Sequence, residues 1–286
     1  MQVEYLGRDI NPLINKTVFI LREVQARFKN PAILWSTGKD STCAIHMAKF
    51  QAFHGQLDWP VVHIDTGLKF PQMYEFRDRI AKLWNLNLVI AKTESDKQPE
   101  NHMECCYERK TLALKNLCQK EHYDAIIVSI RWDEHPIRGM ERYFSPRDHM
   151  WHWNLVREKT PEETKEGDAP YVSLTDTELA GWNIYATDFG KDCSHVRVHP
   201  ILHWTEVEMW KYLQQENMPF NPLYLSNGET RYRSLGCIPC TKPVMSKAST
   251  ISEVIEELNI SKIAERAGRL NTKEGNMQKL RHLGYL

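Results

Sequence analysis

Ala32-Ile33-Leu34-Trp35-Ser36-Thr37-Gly38-Lys39-Asp40-Ser41-Thr42 runs from an apolar tetrapeptide into a small polar turn, and Cys43 to Phe53 then resumes helical spacing. An apolar run of this length, preceded by the helix breaker Pro31, reads as a short buried strand. The whole reads as strand, loop and helix. Gly38 permits close approach of the backbone to a ligand, and Ser36, Ser41 and Thr42 offer hydroxyls. The helix that follows presents N–H groups and the positive end of its dipole. Lys39 adds a point charge, and together these features make an anion cradle. The spacing is not the G-x-x-x-x-G-K-[ST] phosphate loop, because Asp40 follows the lysine.

Outward from this loop, helical spacing is expected over residues 14–29, 71–84, 107–121, 205–217, 251–258 and 276–283. Apolar runs predict strands at 60–64, 86–91, 125–130 and 197–201. Strands alternating with helices imply an α/β fold, a parallel sheet with helices on both faces. Ligands on such sheets bind beyond the carboxyl ends of the strands, where the polar residues after Trp35, Ile64 and Ile130 fall. The expected organisation is a nucleotide-binding α/β domain over 1–200 and a mostly helical C-terminal segment over 201–286. Residues 151–196 break the rhythm. They hold Trp151, Trp153, Trp182 and a charged stretch from Arg157 to Asp168, with a capped helix start at Thr160-Pro161-Glu162-Glu163. This excursion reads either as a lid or partner surface or as a solvated loop.

The 286 residues suffice for a core without disulfide staples. Lys and Arg total 37 and Asp and Glu total 37, so the net charge is zero. Stand-alone nucleic-acid binding draws on phosphate neutralisation, so action on DNA would require a DNA-binding partner or a local basic patch. No apolar run approaches the ~18 residues of a membrane helix, and residues 1–10 show no secretory pattern. The expected location is cytoplasmic, with no membrane contact.

Four of the seven cysteines come as pairs, Cys105-Cys106 and Cys237-Ile238-Pro239-Cys240. That pattern points to a metal or cluster site or to redox chemistry. Four thiolates serve a 4Fe–4S cluster or a Zn²⁺ ion alike, and Arg109, Lys110 and Lys242 would offset their charge. Cys43 and Cys118 read as core residues, while Cys193 beside His195 is open. Arg131, Arg138, Arg142 and Arg147 alternate with Asp133, Glu134, Glu141 and Asp148 after a strand. They read either as a self-paired network or as forks for phosphate, with Arg131 nearest the strand end.

The string Ser36 to Thr42 resembles the PP-loop, S-x-G-x-D-S, of N-type ATP pyrophosphatases, whose adenine-nucleotide α-hydrolase-like fold it implies. That resemblance implies that the loop holds the β- and γ-phosphates and that ATP is cleaved at the α-phosphate. Ser36, Thr37, Gly38, Lys39, Asp40, Ser41, Thr42, Arg131 and Arg138 are then the expected ATP-binding residues. Lys39, Asp40 and Arg131 are the expected catalytic ones, with Asp40 a Mg²⁺ ligand. His63-Ile64-Asp65-Thr66-Gly67 is similar to the segment beside the adenosine in sulfate adenylyltransferase small subunits and adenylyl-sulfate reductases, which adds Asp65, Thr66 and Gly67. Residues 70–79, Arg131 to Asp148, Asn221-Pro222-Leu223-Tyr224 and Glu265-Arg266-Ala267-Gly268-Arg269 look like the sulfate adenylyltransferase small subunit.

The cysteine motifs resemble instead those of assimilatory adenylyl-sulfate reductases, which implies that Cys105, Cys106, Cys237 and Cys240 bind one 4Fe–4S cluster. The reductases attack with a C-terminal cysteine, and none follows Cys240 here. The expectation that joins both likenesses is the ATP pyrophosphatase of a DNA phosphorothioation system, which would be supplied by a cysteine desulfurase or other sulfur donor. The alternative is a sulfate adenylyltransferase small subunit with a GTPase partner. A reductase-like enzyme is the second alternative, and an oligomer fits any of them.

Overall fold

Strands buried on both faces favour apolar runs, and the two at the middle of this sheet, Pro31–Leu34 and Ala125–Ile127, are built that way. The computed structural model describes residues 9–92, 101–135, 138–152, 193–261 and 263–269. The expected excursion from Trp153 through Trp182, with its helix start at Thr160, and the helix expected at 276–283 lie outside the described residues.

Helix α1 (Asn11–Arg27) buries Leu13, Ile14, Thr17, Ile20, Leu21 and Val24, one stripe at helical spacing. Strand β1 (Pro31–Leu34) follows, then α2 (Lys39–His46), which widens into π-helical turns over Met47–Ala52. Strand β2 (Val61–Ile64), α3 (Pro71–Leu83) and β3 (Leu88–Ala91) complete one half. Pro71 opens α3 where no N–H is needed.

The return to the sheet runs through α4 (His102–Cys106), π-helical turns over Tyr107–Leu112, and α5 (Ala113–Glu121). Sequence spacing places this helix start at 107, five residues late. Asn101 Oδ1 accepts the N–H groups of Met103 and Glu104 at 3.0 Å, so the helix begins earlier and carries Cys105 and Cys106 in its first turns.

Strands β4 (Ala125–Ile127), β5 (Phe144–Arg147) and β6 (His195–Val198) finish a six-stranded sheet of order β3-β2-β1-β4-β6-β5. Five strands are parallel, and β5 runs antiparallel to β6 at the edge. This strand is absent from the sequence reading, because Pro146 argues against a strand interior; an edge tolerates it. The order proceeds outward from β1 through β2 to β3, then reverses to β4. With right-handed crossovers, that reversal puts helices on opposite faces and opens a crevice between the ends of β1 and β4. This is the mostly parallel sheet of the adenine-nucleotide α-hydrolase fold.

Beyond the sheet, α6 (Glu206–Gln215) and α7 (Ile251–Ile260) each start with a capping box, Thr205 with Glu208 and Thr250 with Glu253. Between them, β7 (Thr230–Arg231) and β8 (Val244–Met245) form a two-stranded sheet that the mostly helical expectation does not contain. Among the described residues no helix is long and apolar enough to cross a membrane.

Candidate active site

The loop after β1 lies at the crevice mouth and is stiffened from within. Trp35 Nε1 donates to Thr42 Oγ1 at 3.0 Å, and Thr42 Oγ1 donates to the Gly38 carbonyl at 2.8 Å. Ser36 Oγ and Ser41 Oγ are 3.0 Å apart. Thr37 takes a left-handed φ of 64°, uncommon for a β-branched residue, and its hydroxyl donates to the Ser36 carbonyl at 2.6 Å. A Cβ on Gly38 would stand 3.2 Å from both Ser36 Oγ and Tyr224 Oη, so any side chain here would press on these two hydroxyls. Gly38, at the N-cap of α2, has no side chain to cap the first turn. Apart from the Lys39 N–H, which donates to Tyr224 Oη at 2.9 Å, that turn faces a cavity of about 220 Å³.

Tyr224 arrives from 185 residues away and is held by Trp210, edge-on at 5.6 Å. Tyr224→Phe should leave the Lys39 N–H unpaired at a cost of about 1 kcal/mol. A fall of about 2–4 °C in the unfolding midpoint, measured by calorimetry, checks this.

Five charged side chains lock together beneath the loop. Lys39 Nζ sits 3.3 Å from Asp40 Oδ2 and pairs with Glu265. Arg131, fully buried, contacts Asp40 at 2.6 Å and Asp133 at 2.9 Å, and also pairs with Glu265. Burial works against the charge of Lys39, but Asp40 and Glu265 outweigh it and hold the ammonium protonated. Burial likewise pushes Glu265 up, and Arg131 and Lys39 outweigh it, holding its carboxyl below the usual range. For Asp40, burial prevails over Arg131 and Lys39, and its pKa is raised. Glu134 accepts the Arg131 backbone N–H at 3.0 Å and pairs with Arg138, which lines the cavity. Arg147 turns elsewhere, bonding Ser145 Oγ at 2.7 Å.

Asp40, Glu134 and Glu265 bring three carboxylates within 4.8 Å of one another, and Asp40 Oδ1 is buried without a hydrogen-bond partner. Oxygen donors of this kind suit Mg²⁺.

The two cysteine pairs converge. Cys237 bonds Cys240 and, at 3.3 Å, Thr66 Oγ1; Cys106 lies within the field of Cys240, and Cys105 within that of Cys237. The Cys240 hydrogen bond, with Lys110, Thr66 and Lys69, overrides burial and pulls the Cys237 thiol down to about 4. Cys237 stands on the cavity wall, and none of the seven cysteines forms a disulfide. Sulfur is the ligand type of an iron–sulfur cluster or Zn²⁺, but among the described residues the ligand atoms that lie within 4.8 Å of one another are those of Asp40, Glu134 and Glu265, not the cysteine sulfurs. Cys43 and Cys118 are buried in α2 and α5, while Cys193 donates to the His195 carbonyl at 3.2 Å. His195 packs on Trp151 at 4.3 Å.

The cavity wall includes Ser36, Gly38, Lys39, Asp40, Ser41 and Arg138 from the sequence reading. Thr37, Thr42 and Arg131 brace it from behind. Asp65, Thr66 and Gly67 do not reach the wall. Asp65 Oδ1 accepts from Gly67 N at 2.8 Å and Tyr74 Oη at 2.7 Å, and Thr66 joins the cysteine loop. Sequence reasoning assigned no role to Lys69, Tyr224, Glu265, Arg266 and Arg269, which all line the cavity. The Glu265-to-Arg269 and Asn221-to-Tyr224 motifs were its only signal for four of them.

A family profile described as "Phosphoadenosine phosphosulfate reductase domain" matches residues 30–243. The chain is 34% identical over 320 residues to sulfate adenylyltransferase subunit 2 of Allorhizobium ampelinum, covering 98% of this chain and 94% of that one. It is 34% identical over 322 residues to that of Zymomonas mobilis, covering 100% of both. The crystal structure of Candida glabrata FMN adenylyltransferase with FAD and inorganic pyrophosphate superposes with a TM-score of 0.55 at 16% identity, over 99% of this chain and 90% of that one. This last likeness is one of fold.

Proposed function

Since the chain belongs to the phosphoadenosine phosphosulfate reductase domain family, with its PP-loop, we propose that it transfers the adenylyl group of ATP to the oxygen of an anionic acceptor, sulfate in the first instance. The observation that carries this reading is the buried, charged Lys39 beside the first turn of α2, both turned to one cavity. An acceptor oxygen attacks the α-phosphorus; the bond from that phosphorus to the bridging oxygen breaks, and pyrophosphate leaves with the electron pair. Charge grows on the leaving group, which is where N–H dipoles and an ammonium lower the barrier. Asp40, Glu134 and Glu265 would hold a Mg²⁺, which supplies further charge neutralisation on the phosphates.

The likeness to sulfate adenylyltransferase subunit 2 supports sulfate as acceptor and a GTPase subunit as partner. Incubation with α-labelled ATP, sulfate and such a partner should yield label in adenylyl sulfate with release of pyrophosphate. Labelled ADP as the product would refute the reading.

One observation favours a second acceptor. The convergent cysteines have no part in plain adenylyl transfer to sulfate. On that reading the chain is the ATP pyrophosphatase of a DNA phosphorothioation system, with a cysteine desulfurase as sulfur donor and a separate DNA-binding protein. Cys105, Cys106, Cys237 and Cys240 would hold a 4Fe–4S cluster, which supplies electron transfer or a rigid thiolate anchor. Anaerobically purified protein should carry about four iron and four acid-labile sulfide per chain, and Cys237→Ser should lose most of both. Zinc alone in the wild type contradicts the cluster, and phosphorothioate linkages persisting in host DNA after deletion contradict the DNA role.

A further inference from the structure

Glu265 reaches the phosphate loop from a short strap, a single 3₁₀ turn over Glu265–Gly268 entered from an extended Ala264. The strap runs between two cavities. Glu265, Arg266 and Arg269 line the one that faces the phosphate loop. Ile263, Ala264 and Glu265 line a second, of about 240 Å³, whose far wall is Val207 of α6 and Leu258 of α7. Glu265 borders a cavity on each side, so its place depends on its ion pairs with Lys39 and Arg131 and on how the strap is held at its ends.

Both ends are held. At the first, Arg233, paired with Glu206 at 2.8 Å, donates to the Ile263 carbonyl at 2.5 Å. At the second, Lys242 N donates to the Gly268 carbonyl at 2.9 Å, and residues 241 and 269 form an antiparallel bridge. This second end leaves no room. A Cβ on Gly268 would lie 2.5 Å from the Lys242 carbonyl oxygen, a backbone atom that cannot turn aside, and a Cβ on Gly236 would collide with the Arg269 guanidinium. Among the described residues no other glycine is so tightly enclosed. Lys242 belongs to the loop that carries Cys237 and Cys240. That loop is closed on itself by Cys240 N and Thr241 Oγ1, which donate to the Cys237 carbonyl at 3.0 and 2.9 Å. The strap therefore joins this loop at one end to the ammonium of the phosphate loop at the other.

We propose that Gly268 is a positioning residue for adenylyl transfer: seated against Lys242, it fixes the strap so that Glu265 meets Lys39. The proposal rests on the adenylyl-transfer reading and adds to it a residue that is not on the cavity wall. The test is a double-mutant cycle on the full chain. Single-turnover cleavage of saturating α-labelled ATP, with sulfate and a GTPase partner present, is measured for Gly268→Ala, for Glu265→Gln and for the two together. Gly268→Ala should slow cleavage about tenfold or more, since a shift of ~1 Å in a positioned group can cost on the order of 10²-fold. Glu265→Gln should slow it as well. The double variant should be no slower than Glu265→Gln alone, because the displaced strap then has no carboxylate to misplace. A general loosening of the fold would instead multiply the two losses. Multiplied losses overturn the proposal, as does wild-type cleavage by either single variant. Should Gly268→Ala fail to fold, Gly236→Ala takes its place, because its Cβ meets only the flexible end of Arg269, and the same outcomes decide. Labelled ADP from the wild type refutes the adenylyl-transfer reading whatever the cycle shows, whereas multiplied losses with label in adenylyl sulfate refute the strap alone.

Discussion

Lys39→Met abolishes most turnover: the rate of α–β cleavage falls on the order of 10²–10³-fold, the usual loss when one donor to developing charge is removed. The structural reason is that Lys39 is buried and still cationic, because Asp40 and Glu265 flank its ammonium. Placed beside the first turn of α2, that charge need not be assembled when pyrophosphate departs. Methionine keeps an unbranched apolar stem of similar volume and removes the ammonium. Arg131 still pairs with both Asp40 and Glu265, so the fold should persist. Single-turnover cleavage of α-labelled ATP, with the unfolding midpoint as the folding control, measures the effect. A variant of native stability that turns over at the wild-type rate removes Lys39 from the chemistry.

Arg131→Met has the largest effect on stability. The guanidinium contacts Asp40, Asp133 and Glu265 at full burial, and removing it leaves a cluster of carboxylates without that counter-charge. Breaking a buried ion network from one side costs about 3–5 kcal/mol, mostly as the penalty of the charges left behind. The unfolding midpoint should fall on the order of 10 °C. Glu265→Gln in the same chain should recover part of that loss, because it deletes one of the stranded charges; the two substitutions are in contact and will not add. A midpoint unchanged by Arg131→Met would mean that the network is solvated and contributes nothing. Turnover should fall as well, since Arg131 aligns Asp40 and Glu265, and these two flank Lys39.

Local pattern carried much of the architecture. Pro31 before an apolar tetrapeptide, Gly38 after it, and helical spacing beyond are each set by neighbours within a few residues, so strand, loop and helix are legible in order. The same holds for α3, where Pro71 marks the start and Met73, Phe76 and Ile80 mark the buried stripe. Strand β5 escaped because Phe144-Ser145-Pro146-Arg147 has neither alternation nor an apolar run; pairing with β6 alone makes it a strand. The early start of α4 escaped because one side chain, Asn101, sets it.

The candidate site divides along the same line. Ser36 to Thr42 announce an anion cradle by composition, and the cysteine pairs announce sulfur ligation by spacing. Glu265, 226 residues from Lys39, carries no local sign that it will meet that ammonium. A carboxylate reads as a solvated charge unless burial is known, and burial belongs to the assembled chain.

The amino-acid order alone determined the alternating α/β plan, the phosphate loop and the presence of four paired thiols, because each depends on contacts a few residues apart. Tertiary structure alone decided which carboxylates clasp Lys39 and Arg131 and that Cys105 and Cys106 come near Cys237 and Cys240. Those outcomes depend on desolvation and on distances across the chain, and neither quantity exists until the sheet has closed around its core.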